Sequence, residues 1–321
     1  MAGVKRSITV ELGGGLTLAT PVMVASGCAG TGRELSGLID TRRVGAIVTR
    51  SITLRPRRGD PTPRIAESPA GITWTTGIQN PGIEAFIDEE LPLHARAGAA
   101  VIVSIVGRTL EEFVRLTSLL QGRPEISALE VRLSEPDEEL ERVVLGAHTD
   151  RAAEVVGAVA RMSTIPVFAK LPASTPDIVE LASGVVRAGA HGLTLLDSPP
   201  AMGIDAETLR PTLGPVAGWL SGPALKPLTI RAVFEVARAV PDTPILAVGG
   251  VRSGDDAVEM LLAGAWAVQV GTATLIDPSA PIEIARGVSN YLKEKRFASP
   301  ADLRGRLRMP AAFDVGPATT A

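Results

Sequence analysis

Cysteine occurs once among 321 residues, at Cys28, which excludes an internal disulfide framework and any Cys-x-x-Cys set for an iron–sulfur cluster. A lone thiol also suits a reducing cytosol. Histidine is nearly as scarce: His94, His148 and His191 stand far apart without metal-ligand spacing, so no metal site is expected. No apolar run approaches the roughly 18 residues of a membrane span, and no continuous apolar segment follows the charged N-terminus. The chain therefore reads as a soluble, cytoplasmic protein. A net charge of −3 leaves no electrostatic footprint for nucleic acid or an anionic membrane. No Gly-x-Gly-x-x-Gly follows an apolar run, so no nicotinamide-binding unit is expected within the chain. Aromatics amount to only 3%, against 45% hydrophobic residues, so Ala, Val, Leu and Ile must build the core. That composition suits a parallel sheet buried on both faces.

What is present is organised around residues Ile245 to Ala273. A short apolar run ends in Gly249-Gly250, an amphipathic segment follows with Ala257, Met260, Leu261 and Gly264 at helical spacing, and a second run stops at Gly271-Thr272. Two strand ends thus present open backbone N–H groups on one side, where they can cradle a phosphate. Either glycine pair alone is an ordinary strand-to-helix turn. Together they match the phosphate site built after the last two strands of a (β/α)8 barrel.

The rest of the chain repeats the same unit. Ser7–Leu12 and Leu16–Thr20 alternate about Gly13-Gly14-Gly15 and predict a small hairpin. Apolar runs follow at Pro21–Ala25, Ala46–Val48, Val101–Val106, Ala128–Leu133, Val167–Leu171, Leu193–Leu196, Ile245–Val248 and Ala267–Val270. Helical-period segments, such as Leu110–Leu120, Asp150–Met162, Asp177–Ala188 and Leu228–Val240, separate most of them. Eight strands in one series predict a single α/β domain over residues 1–321. Its fold class is a (β/α)8 TIM barrel, and a doubly wound open sheet is the rival. The connections Ser51–Asn80, Ser134–Thr149 and Asp197–Pro227 are long, and in a barrel all three lie over the C-terminal face as lids. From about residue 303 periodicity is lost, which predicts a frayed tail over 303–321.

The blocks VMVASG, GDPTPRIAESPAGI, TGIQNPGIE, FAKLPA, GWLSGPALKP, AVGGV and VGTA occur in that order. In order and spacing the chain resembles the dihydroorotate dehydrogenases over roughly Thr20 to Asn290, most of all the soluble class 1 enzymes. The resemblance implies FMN across the C-terminal ends of the strands and a homodimer. It places Ala25, Ser26 and Gly27 against the isoalloxazine and Lys170 beside flavin N1 and O2, where a cation stabilises reduced flavin. Ser221, Gly222, Gly249, Gly250, Gly271 and Thr272 fall at ribityl and phosphate contacts. Arg50, Ser51, Ser104, Arg132 and Ser198 complete the implied flavin set, with Arg50 and Lys170 also among the catalytic groups.

The substrate half departs from the family. Trp74, Ser104, Arg132, Asp137 and Asp197 stand where the family has asparagines, Arg50 where it has lysine, and Glu135 where class 1 has its cysteine base. Trp74, Gly77, Ile78, Arg132, Asp137, Asp197 and Ser198 are the implied substrate residues. Glu135 can serve as a general base if burial raises its pKa, or it is one solvated carboxylate in an acidic loop. Arg132 at an inward strand end needs a partner, either a carboxylate such as Asp197, Asp137 or Glu135, or an anionic substrate. Cys28 reads as a small buried thiol and His191 as structural.

The resulting expectation is an FMN-dependent oxidoreductase acting on a CH–CH bond of a small planar ring. Electrons leave by a small acceptor, oxygen or a partner protein. The alternatives are a non-redox flavoprotein and a flavin-free barrel binding a sugar or nucleotide phosphate.

Overall fold

Eight strands too apolar to face water on either side pair edge to edge and close. The computed structural model describes residues 7–135 and 144–310. Its barrel strands are β1 (Val22–Val24), β2 (Ala46–Val48), β3 (Ala100–Ile105), β4 (Ala128–Arg132), β5 (Val167–Pro172), β6 (Gly192–Asp197), β7 (Ile245–Val248) and β8 (Ala267–Val270). All neighbours are parallel, and β8 pairs with β1 to complete the closed (β/α)8 barrel. Among the described residues no helix is long and apolar enough to cross a membrane.

Side-chain alternation divides each strand between two environments. On β4, Leu129 and Val131 face outward into the layer shared with the helices, while Ala128, Glu130 and Arg132 face the barrel axis. The lower interior is a dry plug of Met23, Ile102, Phe168 and Leu246, sealed from below by Leu12, Leu16 and Leu18 of the N-terminal hairpin. That hairpin is shorter than its alternation implied, pairing only Val10–Glu11 with Thr17–Leu18.

The intervening helices begin where side chains can cap them. Thr109 accepts from Glu112 N–H, and Asp177 from Val179 and Glu180 N–H. Ser253 and Asp256 form a reciprocal capping box before Gly254–Ala263. A second capping box, Ser299 with Asp302, stands just before the segment expected to fray. It starts one further helical turn, Pro300–Leu303, which buries Leu303 completely. Gly305 N–H then donates to Leu261 O at 3.0 Å, and the Arg304 guanidinium stacks 3.6 Å from the Trp266 ring. One turn is too short to show a period. Residues 311–321 lie outside the described residues.

Two of the long connections build a second sheet over the barrel mouth. Ile65–Ser68 and Gly71–Trp74 pair with each other, Gly71–Trp74 pairs with Gly218–Ser221, and the latter with Pro200–Ala201, all antiparallel. Trp219 is the register partner of Trp74. The third connection is tied at its base by Leu145 N–H to Glu135 O and Gly146 N–H to Leu133 O. Residues 136–143, and with them Asp137, lie outside the described residues.

Candidate active site

Between the barrel mouth and the antiparallel sheet lies a cavity of about 460 Å³, within the range of small-molecule sites. Its floor comes from the C-terminal ends of the strands. Ala25 to Cys28 follow β1, Arg50 and Ser51 follow β2, Arg132 ends β4, and Lys170 lies on β5. Trp74 and Ile72 form its roof. Every expected cofactor contact lines this cavity except Ser104. The Ser104 hydroxyl sits one layer lower, 3.0 Å from Ser51 Oγ. Of the expected substrate residues, Trp74, Ile78, Arg132, Asp197 and Ser198 line it and Gly77 does not.

One wall is backbone. Gly250 has φ +86°, and a Cβ there would run into the backbone N of Lys226. Gly222 has φ +114°, and a Cβ would stand 2.6 Å from Gly71 Cα in the roof. Only glycine permits both the conformation and the approach. Together with Gly271 they leave main chain bare to the cavity, as a phosphate cradle requires. Lys226 does not point into that cradle, because its ammonium binds Asp256 at 2.8 Å and Glu259 at 3.1 Å.

The opposite wall is charged. Arg132 Nε donates to Asp197 Oδ2 at 2.7 Å, and its Nη1 lies 3.5 Å from Glu135 Oε1. Lys170 Nζ stands 3.6 Å from Asp197 and 3.8 Å from Glu130. Glu130, fully buried, also accepts from Thr194 Oγ1 at 2.9 Å and Gln269 Nε2 at 3.0 Å. Burial alone would raise the Asp197 carboxyl, but Arg132 and Lys170 outweigh it and hold the group well below the usual carboxylate range. Burial likewise opposes the charge on Lys170, and Asp197 and Glu130 overcome it, so its ammonium is kept protonated. Arg132 therefore has an internal carboxylate partner.

Glu135 does not line the cavity. Its carboxylate is held against Arg132 and, at 3.9 Å, Arg57. Arg50 lines the cavity and faces Glu90 at 3.6 Å. His191 is structural, its Nδ1 accepting from Val167 N–H at 3.3 Å. Two participants were missed from sequence. Glu130 could have been found by parity, since it alternates with Arg132. Trp219, whose ring lies 5.8 Å from the Arg132 guanidinium, could not, because its position depends on pairing with Trp74 across 145 residues.

Cys28 lines the cavity, and burial pushes its thiol up to about 11, Lys170 only partly offsetting this. Raised above the unfolded value, the thiol remains neutral in the fold, and stability is lost as pH rises from the unfolded value towards 11. At pH 8, alkylation of the native protein by iodoacetamide is expected to run roughly a hundredfold slower than in urea, the thiolate deficit of two pH units. Equal native and unfolded rates would refute the assignment.

A closed (β/α)8 barrel with a bare glycine wall and a buried lysine at its C-terminal mouth has the architecture of a barrel enzyme, with its site at that face. The chain belongs to the dihydroorotate dehydrogenase family, whose model matches residues 9–292. It is 43% identical over 305 residues to the catalytic subunit of dihydroorotate dehydrogenase B (NAD(+)) from Geotalea daltonii, covering 95% of this chain and 99% of the relative. The Pelobacter propionicus catalytic subunit of the same name is 43% identical, covering 94% and 99%. That of Desulforudis audaxviator is also 43% identical, covering 91% and 94%. The family is one of FMN-dependent oxidoreductases acting on CH–CH bonds, which favours the oxidoreductase reading over the non-redox one.

Proposed function

We propose that the cavity holds FMN and that the protein dehydrogenates, or reduces, a CH–CH bond in a small planar ring. The observation that carries this reading is the buried Lys170 ammonium facing the same cavity as the bare main chain of Gly222, Gly249, Gly250 and Gly271. The glycines leave room for a phosphate and its N–H partners. Lys170 supplies fixed positive charge where a reduced flavin would carry negative charge. Bound FMN would supply the hydride acceptor. The protein's own part is to seat the ring under Trp74, exclude water with the antiparallel sheet, and take a proton. Glu135 is the proposed proton acceptor, acting through one water from its place beside Arg132 and Arg57, since it does not itself line the cavity.

Electrons then need an exit. The relatives are named catalytic subunits and carry NAD(+) in their names, which supports a partner electron-transfer subunit for this chain. Leu275 and Ile276 line the cavity mouth and are 55% and 79% exposed, an apolar rim at the place where such a partner would approach. A homodimer of this chain accords with the resemblance and is read by light scattering.

The test is direct. Purified protein is expected to be yellow, and heating to release FMN rather than FAD. A colourless protein that fails to take up added FMN would sink the cofactor reading.

A further inference from the structure

At the substrate end of the cavity the polar groups are spent on one another. Arg132 Nε bonds Asp197 Oδ2 at 2.7 Å, and Asp197 Oδ1 accepts from Ser198 N–H at 3.0 Å. Ser198 Oγ lies 2.9 Å from Ser221 Oγ, which accepts from Trp74 Nε1 at 2.6 Å. This chain of contacts ties β4 and β6 to both central strands of the roof sheet. Each buried cation already faces carboxylate, Arg132 with Asp197 and Glu135, Lys170 with Asp197 and Glu130. With Arg57 beside Glu135, the ion pairs among the described residues that line or back this end set Arg57, Arg132 and Lys170 against Glu130, Glu135 and Asp197.

We propose that the Arg132–Asp197 ion pair is the specificity determinant of this site, and that it selects an uncharged, carbonyl-bearing planar ring over a ring carboxylate. The inference rests on the FMN-dependent reading above and names the substrate class for it. A ring carboxylate would enter a balanced cluster. Its charge would meet no uncompensated cation there and would stand beside the buried carboxylates of Asp197 and Glu135, a desolvation cost that nothing offsets. A neutral carbonyl asks for less. An arginine carries five N–H donors and a lysine three, more than their carboxylates occupy, so a carbonyl oxygen can accept from what remains. The acceptors are what the pair withdraws. Asp197 has both oxygens engaged, and Trp74 turns its only donor to Ser221 and offers the ring a flat apolar face.

Orotate and uracil are suitable probes, because they share one ring and differ by a carboxylate. Each is titrated calorimetrically into FMN-loaded protein, wild type and the double variant Arg132→Asn/Asp197→Asn. The double change removes both charges together, leaves Glu135 with Arg57 and Lys170 with Glu130, and supplies free amide donors and acceptors. Wild type is expected to bind orotate at least tenfold more weakly than the double variant does, while uracil affinity changes less than threefold between them. Asp197→Asn alone keeps the side-chain shape and the Ser198 contact. It should gain orotate in the same direction, which serves if the double variant proves unstable to heat. Tight orotate binding by wild type, or no gain in either variant, overturns the proposal. The flavin content of each preparation separates the two levels. A colourless protein defeats the cofactor reading, whereas a yellow wild type that binds orotate tightly defeats the ion-pair inference alone.

Discussion

Replacing Glu135 by Gln is expected to slow reduction of the bound flavin by the true substrate roughly 10²–10⁴-fold, the span of general base catalysis. Gln keeps the size of the side chain and its hydrogen-bonding oxygen but removes basicity. Flavin content should be unchanged, because Glu135 is not among the expected flavin contacts. The melting temperature should move little, because Arg132 retains Asp197 at 2.7 Å and loses only a 3.5 Å contact. Anaerobic stopped-flow bleaching reads the effect. Full activity in the Gln variant would take Glu135 out of the mechanism and move the search to Ser134 or a water held by Arg132.

The second large effect concerns stability. Arg132→Ala strips Asp197 of its closest partner in a buried site and removes the cation–π contact with Trp219. Breaking one side of a buried pair costs about 3–5 kcal/mol, which for a chain of this size is a fall in Tm on the order of 5–10 °C. The pH dependence has a definite sign. Asp197 is held below its ordinary value, with burial opposing and Arg132 and Lys170 prevailing. Its contribution is therefore complete above the unfolded carboxylate range and disappears as pH falls through the folded value. Wild type and variant should differ fully at pH 7 and converge in strong acid. A constant Tm gap down to the lowest pH at which both refold would show that Arg132 acts through packing alone.

Much of this protein was legible before any fold was known. The strand series and the helix signals are local, since a continuous Val/Ile/Leu run and a capping Ser or Asp state their preference within a few residues. Ile245–Val248 and Ala267–Val270 fall where the pattern placed them, and the glycines after them do form the bare wall of the cavity. Arg132 could be assigned inward from its place at a strand end, and Lys170 from the family pattern it matches. Even the need of Arg132 for an anionic partner follows from charge and burial alone.

Tertiary structure decided the rest, and for one physical reason: those features depend on contacts between distant segments. Gly71–Trp74 is a weak strand by itself and becomes one only against Gly218–Ser221. Which of several carboxylates Arg132 would choose was open until β4 and β6 were placed two strands apart on either side of β5. Leu303 lies past the last periodic segment and is buried only because a single capped turn lays it against the helix Gly254–Ala263. Local propensity determined the barrel and its cradle. Closure of the barrel and the long-range pairing of its lid decided how the charges inside are matched.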